Sequence, residues 1–206
     1  MIPKTYVDYY GDSVRWFVGH VVDVKNDPLK LGRVKVRALG VYDNIDDEYL
    51  PWAQITVPVT TGIHKGVGQN LGILVDTQVF GIFLDGQNSQ LPLVLGCIPK
   101  KEDTNSKAVD NYPLNKVYET QSGHYKEYDD TEGSERIREQ HRSGTFYQLQ
   151  ADGSRVTVIE KDDVLIVRGD VSILVQGNAA INCLKDVTVT AKNVDINASE
   201  NIKLNS

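Results

Sequence analysis

Residues 161–206 read KDDVLIVRGDVSILVQGNAAINCLKDVTVTAKNVDINASENIKLNS, and the fold is decided here. Corner pairs recur at Lys161-Asp162, Gly169-Asp170, Gly177-Asn178, Lys185-Asp186, Lys192-Asn193 and Glu200-Asn201, at steps of 8, 8, 8, 7 and 8 residues. Between corners, apolar and polar residues alternate with period two, the mark of a strand. Val171, Ile173, Val175, then Ala179, Ile181, Cys183, then Val187, Val189, Ala191 occupy odd positions. After the one short step the apolar set moves to even positions: Val194, Ile196, Ala198, Ile202, Leu204. Losing one residue must swap the faces of every strand downstream. The change of parity and the change of spacing coincide.

Glycine, asparagine and aspartate at Gly169, Asp170, Gly177, Asn178, Asp186, Asn193 and Asn201 suit a tight or left-handed bend. Short strands with corners at a fixed period point to a β-helix or solenoid. Five short strands from one chain nevertheless leave two open edges and one apolar face. Three copies wound about one axis would remove the edges and bury the stripe. The core of that trimer would be Val171, Ile173, Val175, Ile181, Cys183, Val187, Val189, Val194, Ile196, Ile202 and Leu204. A monomeric solenoid or plain sheet is the competing arrangement.

The chain has 206 residues, a formal net charge of -6 and a pI near 5.2, which disfavours a general nucleic-acid binder. No apolar run is long enough to span a bilayer and no secretory leader is apparent. Cys97 and Cys183 sit in apolar strand patterns and read as small core residues. The expected organisation is an extended arm over 1–14, a barrel over 15–99, a linker over 100–121, collar strands over 122–160 and the octad repeat over 161–206. Strands are expected at 16–24, 32–38, 53–59, 72–84 and 91–98, with turns at Asn26-Asp27-Pro28 and Asp85-Gly86-Gln87-Asn88. That count suits a five-stranded Greek-key barrel of the oligonucleotide/oligosaccharide-binding (OB) type.

Trp16-Phe17-Val18-Gly19, Asp27-Pro28-Leu29-Lys30-Leu31-Gly32-Arg33-Val34-Lys35-Val36-Arg37 and Leu50-Pro51-Trp52-Ala53 resemble the N-terminal barrel of the central spike proteins of contractile phage tails. Ser122-Gly123-His124, Asp129-Asp130-Thr131, Gly133, Glu135-Arg136-Ile137 and His141-Arg142-Ser143-Gly144-Thr145 resemble the start of the β-helical spike in that family and in type VI secretion spikes. The resemblance implies an all-β chain: an N-terminal OB-fold barrel followed by a C-terminal triple-stranded β-helix, an intertwined homotrimer in the virion tail baseplate or a tail-derived particle. The barrel would dock on a ring-shaped hub, and the β-helix would pierce the host envelope. Family members with this barrel carry a lysozyme domain between barrel and spike. Here that interval, 99–121, is far too short for a domain, so cell-wall hydrolysis is not expected. Some short spikes end in a His-x-His iron site. No histidine follows Lys161, so neither metal nor cofactor is expected. A separate small tip protein would then cover the apex at Ile202, Leu204 and Ser206.

Other motifs carry weaker signals. Arg33, Lys35 and Arg37 form a basic stripe on one strand, which fits an acidic hub surface, nucleic acid or a solvated face equally. His124 and His141 fall where neighbouring collar strands would bring them together, as a metal pair or as polar packing. Asp129, Asp130, Glu132 and Glu135 lack calcium-loop spacing and read as a solvated turn. Gly62, Gly66 and Gly68 lack the strand-to-helix context of a phosphate loop. No residue set supports catalysis. The alternative to a spike is a trimeric OB-fold module on a β-helical stalk that binds nucleic acid or glycan.

Overall fold

The computed structural model describes residues 14–68 and 72–203. The expected arm therefore lies, apart from Val14, outside the described residues, as do Leu204 and Ser206. The chain divides into two compact units, Met1–Lys161 and Asp162–Ser206.

In the first unit, β1 (Arg15–Asp23), β2 (Val34–Ala38), β3 (Trp52–Ile55), β4 (Gln78–Phe83) and β5 (Pro92–Cys97) close into a barrel in the order β1-β2-β3-β5-β4. Every pairing is antiparallel except β3 with β5. A closed five-stranded barrel of this kind is consistent with an OB fold. Strand alternation explains the core. Phe17 and Val21 of β1, Val34, Val36 and Ala38 of β2, Val79 and Phe83 of β4, and Val94 of β5 all point inward and are buried. The register sets Val21 opposite Val36 and Phe17 opposite Gly81. The Phe17 and Phe83 rings lie 4.9 Å apart, and Tyr42 meets Phe83 edge-on at 5.7 Å. The Tyr42 hydroxyl donates to Ser89 O, so this buried phenol is satisfied.

The β1–β2 connection is tied to one carboxylate. Asp27 is buried and accepts from the backbone N–H of Leu29 (3.1 Å), Leu31 (2.8 Å) and Arg33 (3.3 Å), and from the Arg33 guanidinium at 2.6 Å. The Arg33 side chain, aided by those backbone donors, holds the Asp27 carboxyl well below the usual carboxylate range. A folded-state value lowered in this way contributes stability above the ordinary Asp value of about 3.9, and the contribution is lost as pH falls through the folded value. Asp27→Asn is therefore expected to lower the thermal midpoint at neutral pH. The gap to wild type should narrow on acidification below about pH 3, because wild type surrenders there what the variant never had. Thermal melts at the two pH values check this.

A second sheet, β6 (Asn115–Glu119), β7 (Tyr125–Asp129), β8 (Arg136–Gln140), β9 (Phe146–Leu149) and β10 (Arg155–Val158), is an antiparallel meander in chain order. The stretch expected as a linker thus holds structure. Helix α1 (Ser106–Asp110) starts on Asn105, whose side chain accepts from Lys107 N (2.9 Å) and Ala108 N (3.3 Å). Lys107 then reaches Glu119 of β6 at 2.8 Å. In the acidic turn Asp130, Glu132 and Glu135 are exposed as expected, and Asp129 alone departs from the solvated reading. Asp129 is buried, accepting from Asn111 (2.6 Å) and from the hydroxyl (2.6 Å) and backbone N–H (3.0 Å) of Thr131. Arg136 lies 2.7 Å from Glu127 and 3.3 Å from Asp129. The Thr131 hydroxyl, more than any charge, keeps the Asp129 carboxyl below its ordinary value.

Among its described residues the second unit carries neither helix nor strand. Its backbone bends at Arg168–Gly169, Gln176–Gly177, Leu184–Lys185, Lys192 and Ser199–Glu200. Among the described residues no backbone hydrogen bond joins any two positions of this unit. Its apolar side chains are exposed, Ile173 at 84%, Ile181 at 89% and Val189 at 71%.

Candidate functional site

A shallow groove of about 470 Å³ on the second sheet gathers His124, His141, Lys126, Glu139 and Tyr147, but among the described residues no His, Cys, Asp and Glu side chains form a group of three able to hold a metal. An apolar groove of about 630 Å³ on the barrel, between Ile55, Val57, Ile63, Val67, Ile73 and Leu95, contains no carboxylate. Cys97 lines it and is exposed, which corrects its reading as a core residue: it stands near the end of β5, past the buried Val94. The candidate functional features are instead surfaces.

The first is the repeat. In extended backbone, residues two apart share a side. Drawn out as strands, Val171, Ile173 and Val175, then Ile181 and Cys183, then Val187 and Val189 would each share one, with Ser172, Asn182, Thr188 and Thr190, but also Leu174 and Leu184, on the other. Past the bend at Lys192, Val194, Ile196 and Ile202 continue the apolar set. Each of these aliphatic residues is at least half exposed within the chain. Contiguous apolar exposure on this scale marks an interaction surface. The backbone N–H and C=O groups of the same stretch have no partner from their own unit's backbone, and main-chain polar groups in a sheltered strand need one.

The second surface is the outer wall of the barrel. Trp16 and Val18 of β1, Phe80 and Ile82 of β4, and Leu93 and Leu95 of β5 alternate with the core residues and so face outward. Cross-strand pairing aligns Trp16 with Ile82, Val18 with Phe80, and Ile82 with Leu93. The Trp16 and Phe80 rings lie 6.4 Å apart, with Trp16 65% exposed. Sequence reading passed over this wall, although β1 gave a signal: both of its alternating sets are apolar, whereas a strand with one solvated face carries only one such set.

The basic stripe is not a free face. Arg33 is paired with Asp27 and its guanidinium carbon sits 5.9 Å from the Trp52 ring centre. Lys35 is buried, its ammonium donating to Asp47 O (3.0 Å) and Glu48 O (2.7 Å) and standing 5.2 Å from the Trp52 ring centre. Arg37 donates to Tyr42 O (2.7 Å) and pairs with Asp47. All three hold neighbouring segments of the barrel. Arg33 and Lys35 also occupy Trp52, one of the aromatics on which a stacked base or sugar would rest.

The remaining histidines of interest do meet: the His124 and His141 rings are 4.4 Å apart.

Comparison with known proteins agrees with the barrel. Residues 34–135 match the family described as the Gp5 N-terminal OB domain. Protein Gp5 of Vibrio phage KVP40 is 27% identical over 274 aligned positions, spanning 86% of this chain and 65% of that protein. The pre-baseplate central spike protein Gp5 of Enterobacteria phage T4 is 37% identical over 89 residues, 38% of this chain and 15% of that protein. The chain thus spans less than two thirds of the length of either relative. The KVP40 alignment is also longer than this whole chain, so that relative carries residues within the matched span that have no counterpart here. In barrel topology and in sequence over most of its length the chain is similar to the Gp5 proteins of these phages, of which the T4 protein is named a pre-baseplate central spike protein.

Proposed function

We propose that this protein is the structural central spike of a contractile tail baseplate in the virion. Three copies wind residues 161–206 into a triple-stranded β-helix, the outer wall of the barrel seats each copy on a hub ring, and the spike pierces the host envelope when the sheath contracts. One observation carries the reading: an octad-bent chain whose described apolar side chains stay exposed and whose described backbone groups make no backbone hydrogen bond within their own unit. Threefold winding supplies both lacks at once, since each strand gains two neighbours and the apolar stripes meet at one axis. A rod with paired backbone and no irregular core carries axial load without a catalytic residue. At the apex, the stripe through Ile202 would be capped by a separate small tip protein.

Hub docking falls to Trp16, Phe80 and Leu95, because Arg33, Lys35 and Arg37 are engaged with the connecting segments of the barrel. Replacing Trp16 and Phe80 together by Ser should reduce retention of the spike on isolated hub rings at least tenfold, on the order expected from losing aromatic anchors at the centre of an interface. Its thermal midpoint should stay close to wild type, since both side chains lie outside the core. Undiminished retention would move docking elsewhere on the barrel.

A further inference from the structure

The barrel closes between β3 and β5 over two residue pairs, Gln54 with Leu93 and Ile55 with Val94. Thr56 adds a last rung, its N–H donating to Val94 O at 3.0 Å and its hydroxyl lying 3.2 Å from both Val94 O and Leu95 O. The chain then leaves the ladder and enters a 3-10 turn at Val59–Thr61, while β5 runs on to Cys97. The ladder on the other side of β5 tells which groups this leaves open. Ile98 N–H donates to Gln78 O at 2.8 Å, and these two residues oppose each other one step beyond Val79 and Cys97. Hydrogen-bonded and non-bonded pairs alternate in an antiparallel ladder. Phe80 and Gly96 are therefore the next bonded pair. Cys97, between them, turns its N–H and C=O away from β4, toward the place that β3 has vacated. Among the described residues no backbone hydrogen bond outside the strand ladders reaches Cys97.

This open edge forms one side of the apolar groove of about 630 Å³, with Ile55, Val57, Ile63 and Val67 among the residues that line the rest. Lysine or arginine entering the groove would meet no carboxylate there, whereas apolar side chains lose nothing by burial in it. Sheet edges that stay in solvent are ordinarily blunted by a charge or a proline. Leu95-Gly96-Cys97-Ile98 carries neither, and the first proline comes at Pro99. Leu95 belongs both to the groove and to the outer wall that bears Trp16 and Phe80, so the two surfaces are continuous. A strand laid in the groove would meet open backbone groups and an apolar lining together, the two requirements of strand addition to a sheet edge.

We infer that the open edge of β5 takes an extended, apolar segment of the hub as an added strand, bonded to the N–H and C=O of Cys97 and resting on Ile55, Val57 and Leu95. The inference rests on the hub-docking reading above and gives that docking its mode. Amide-resolved hydrogen exchange on the full chain, alone and retained on isolated hub rings, tests it. In the protein alone the Cys97 amide should exchange about a hundredfold faster than that of Gly96, which bonds to β4. On the rings Cys97 should slow by about tenfold or more, with Gly96 unchanged. Cys97→Pro removes the outward N–H and leaves the β4 ladder intact, and should weaken retention by up to about tenfold, the worth of one hydrogen bond. Cys97→Ala should be retained like wild type. Protection of Cys97 already in the protein alone would give the edge to a sister copy or to the chain's own N-terminal segment, and would overturn the proposal. Equal retention of the two variants would do the same. Wild type retained on the rings with Cys97 unprotected would overturn strand addition and leave hub docking standing, whereas wild type not retained at all would overturn both. If Cys97→Pro does not fold, the exchange comparison decides alone.

Discussion

Ile181→Asp should turn an assembled spike into separate chains. The residue lies in the middle of the repeat, on the side shared by Ala179 and Cys183, and is 89% exposed within its own chain. If threefold winding is what covers it, the substitution sets three carboxylates around one axis. Each buried, unpaired charge costs several kcal/mol, and the three also repel one another. A total on the order of 10 kcal/mol exceeds what most interfaces can absorb, so no trimer should remain at micromolar concentration. Thr188→Asp is the matched control. It lies one position from Val187 and Val189 and faces the opposite way, where its charge stays in water. Size-exclusion chromatography with light scattering should give one third of the assembled mass for Ile181→Asp and the full mass for Thr188→Asp. Two variants that behave alike would show that parity does not define the buried side.

Gly81→Val should have the second-largest effect, and on the barrel instead of the rod. A Cβ at position 81 would stand 2.4 Å from Leu93 O and 2.5 Å from Phe17 Cζ, both inside contact distance. Phe17 cannot yield, because its ring is packed on Phe83 at 4.9 Å and is itself buried. The Leu93 carbonyl cannot yield either, because β4 and β5 pair across it. Overpacking of this kind costs about 1–3 kcal/mol where side chains can shift, and the upper end is expected where one obstacle is backbone. In a domain of about 100 residues that should lower the thermal midpoint by roughly 12–20 °C. Circular dichroism melts check it. An unchanged midpoint would show that the β4–β5 bulge absorbs the methyl groups.

Much of this was written in the residues themselves. Period-two alternation located the five barrel strands through core sets such as Phe17-Gly19-Val21 or Val34-Val36-Ala38, but it overran two of them, since β3 ends at Ile55 where 53–59 was expected and β4 starts at Gln78 where 72–84 was expected. Strand β6 escaped notice because Asn115-Lys116-Val117-Tyr118-Glu119 offers one aliphatic residue. Its place is secured by polar contacts, Asn115 Nδ2 to Lys107 O at 2.9 Å and Glu119 to Lys107, that hydropathy cannot reveal. The basic stripe misled for a related reason. Alternation told correctly that Arg33, Lys35 and Arg37 point away from the barrel interior, but not that Asp27 takes Arg33 or that the 42–48 segment supplies carbonyl acceptors to Lys35 and Arg37. Conversely, the meeting of His124 and His141 follows from counting along the β7–β8 hairpin, since turn and strand lengths fix which residues oppose one another.

Sedimentation equilibrium, or native mass measurement, of the wild-type chain bears most directly on all of this. The repeat requires a single species of three copies, three times the 22.9 kDa chain, with no free chain at micromolar concentration. A monodisperse species of one chain mass would mean that the octad stripe is sheltered in some other way, and the spike reading would have to be abandoned.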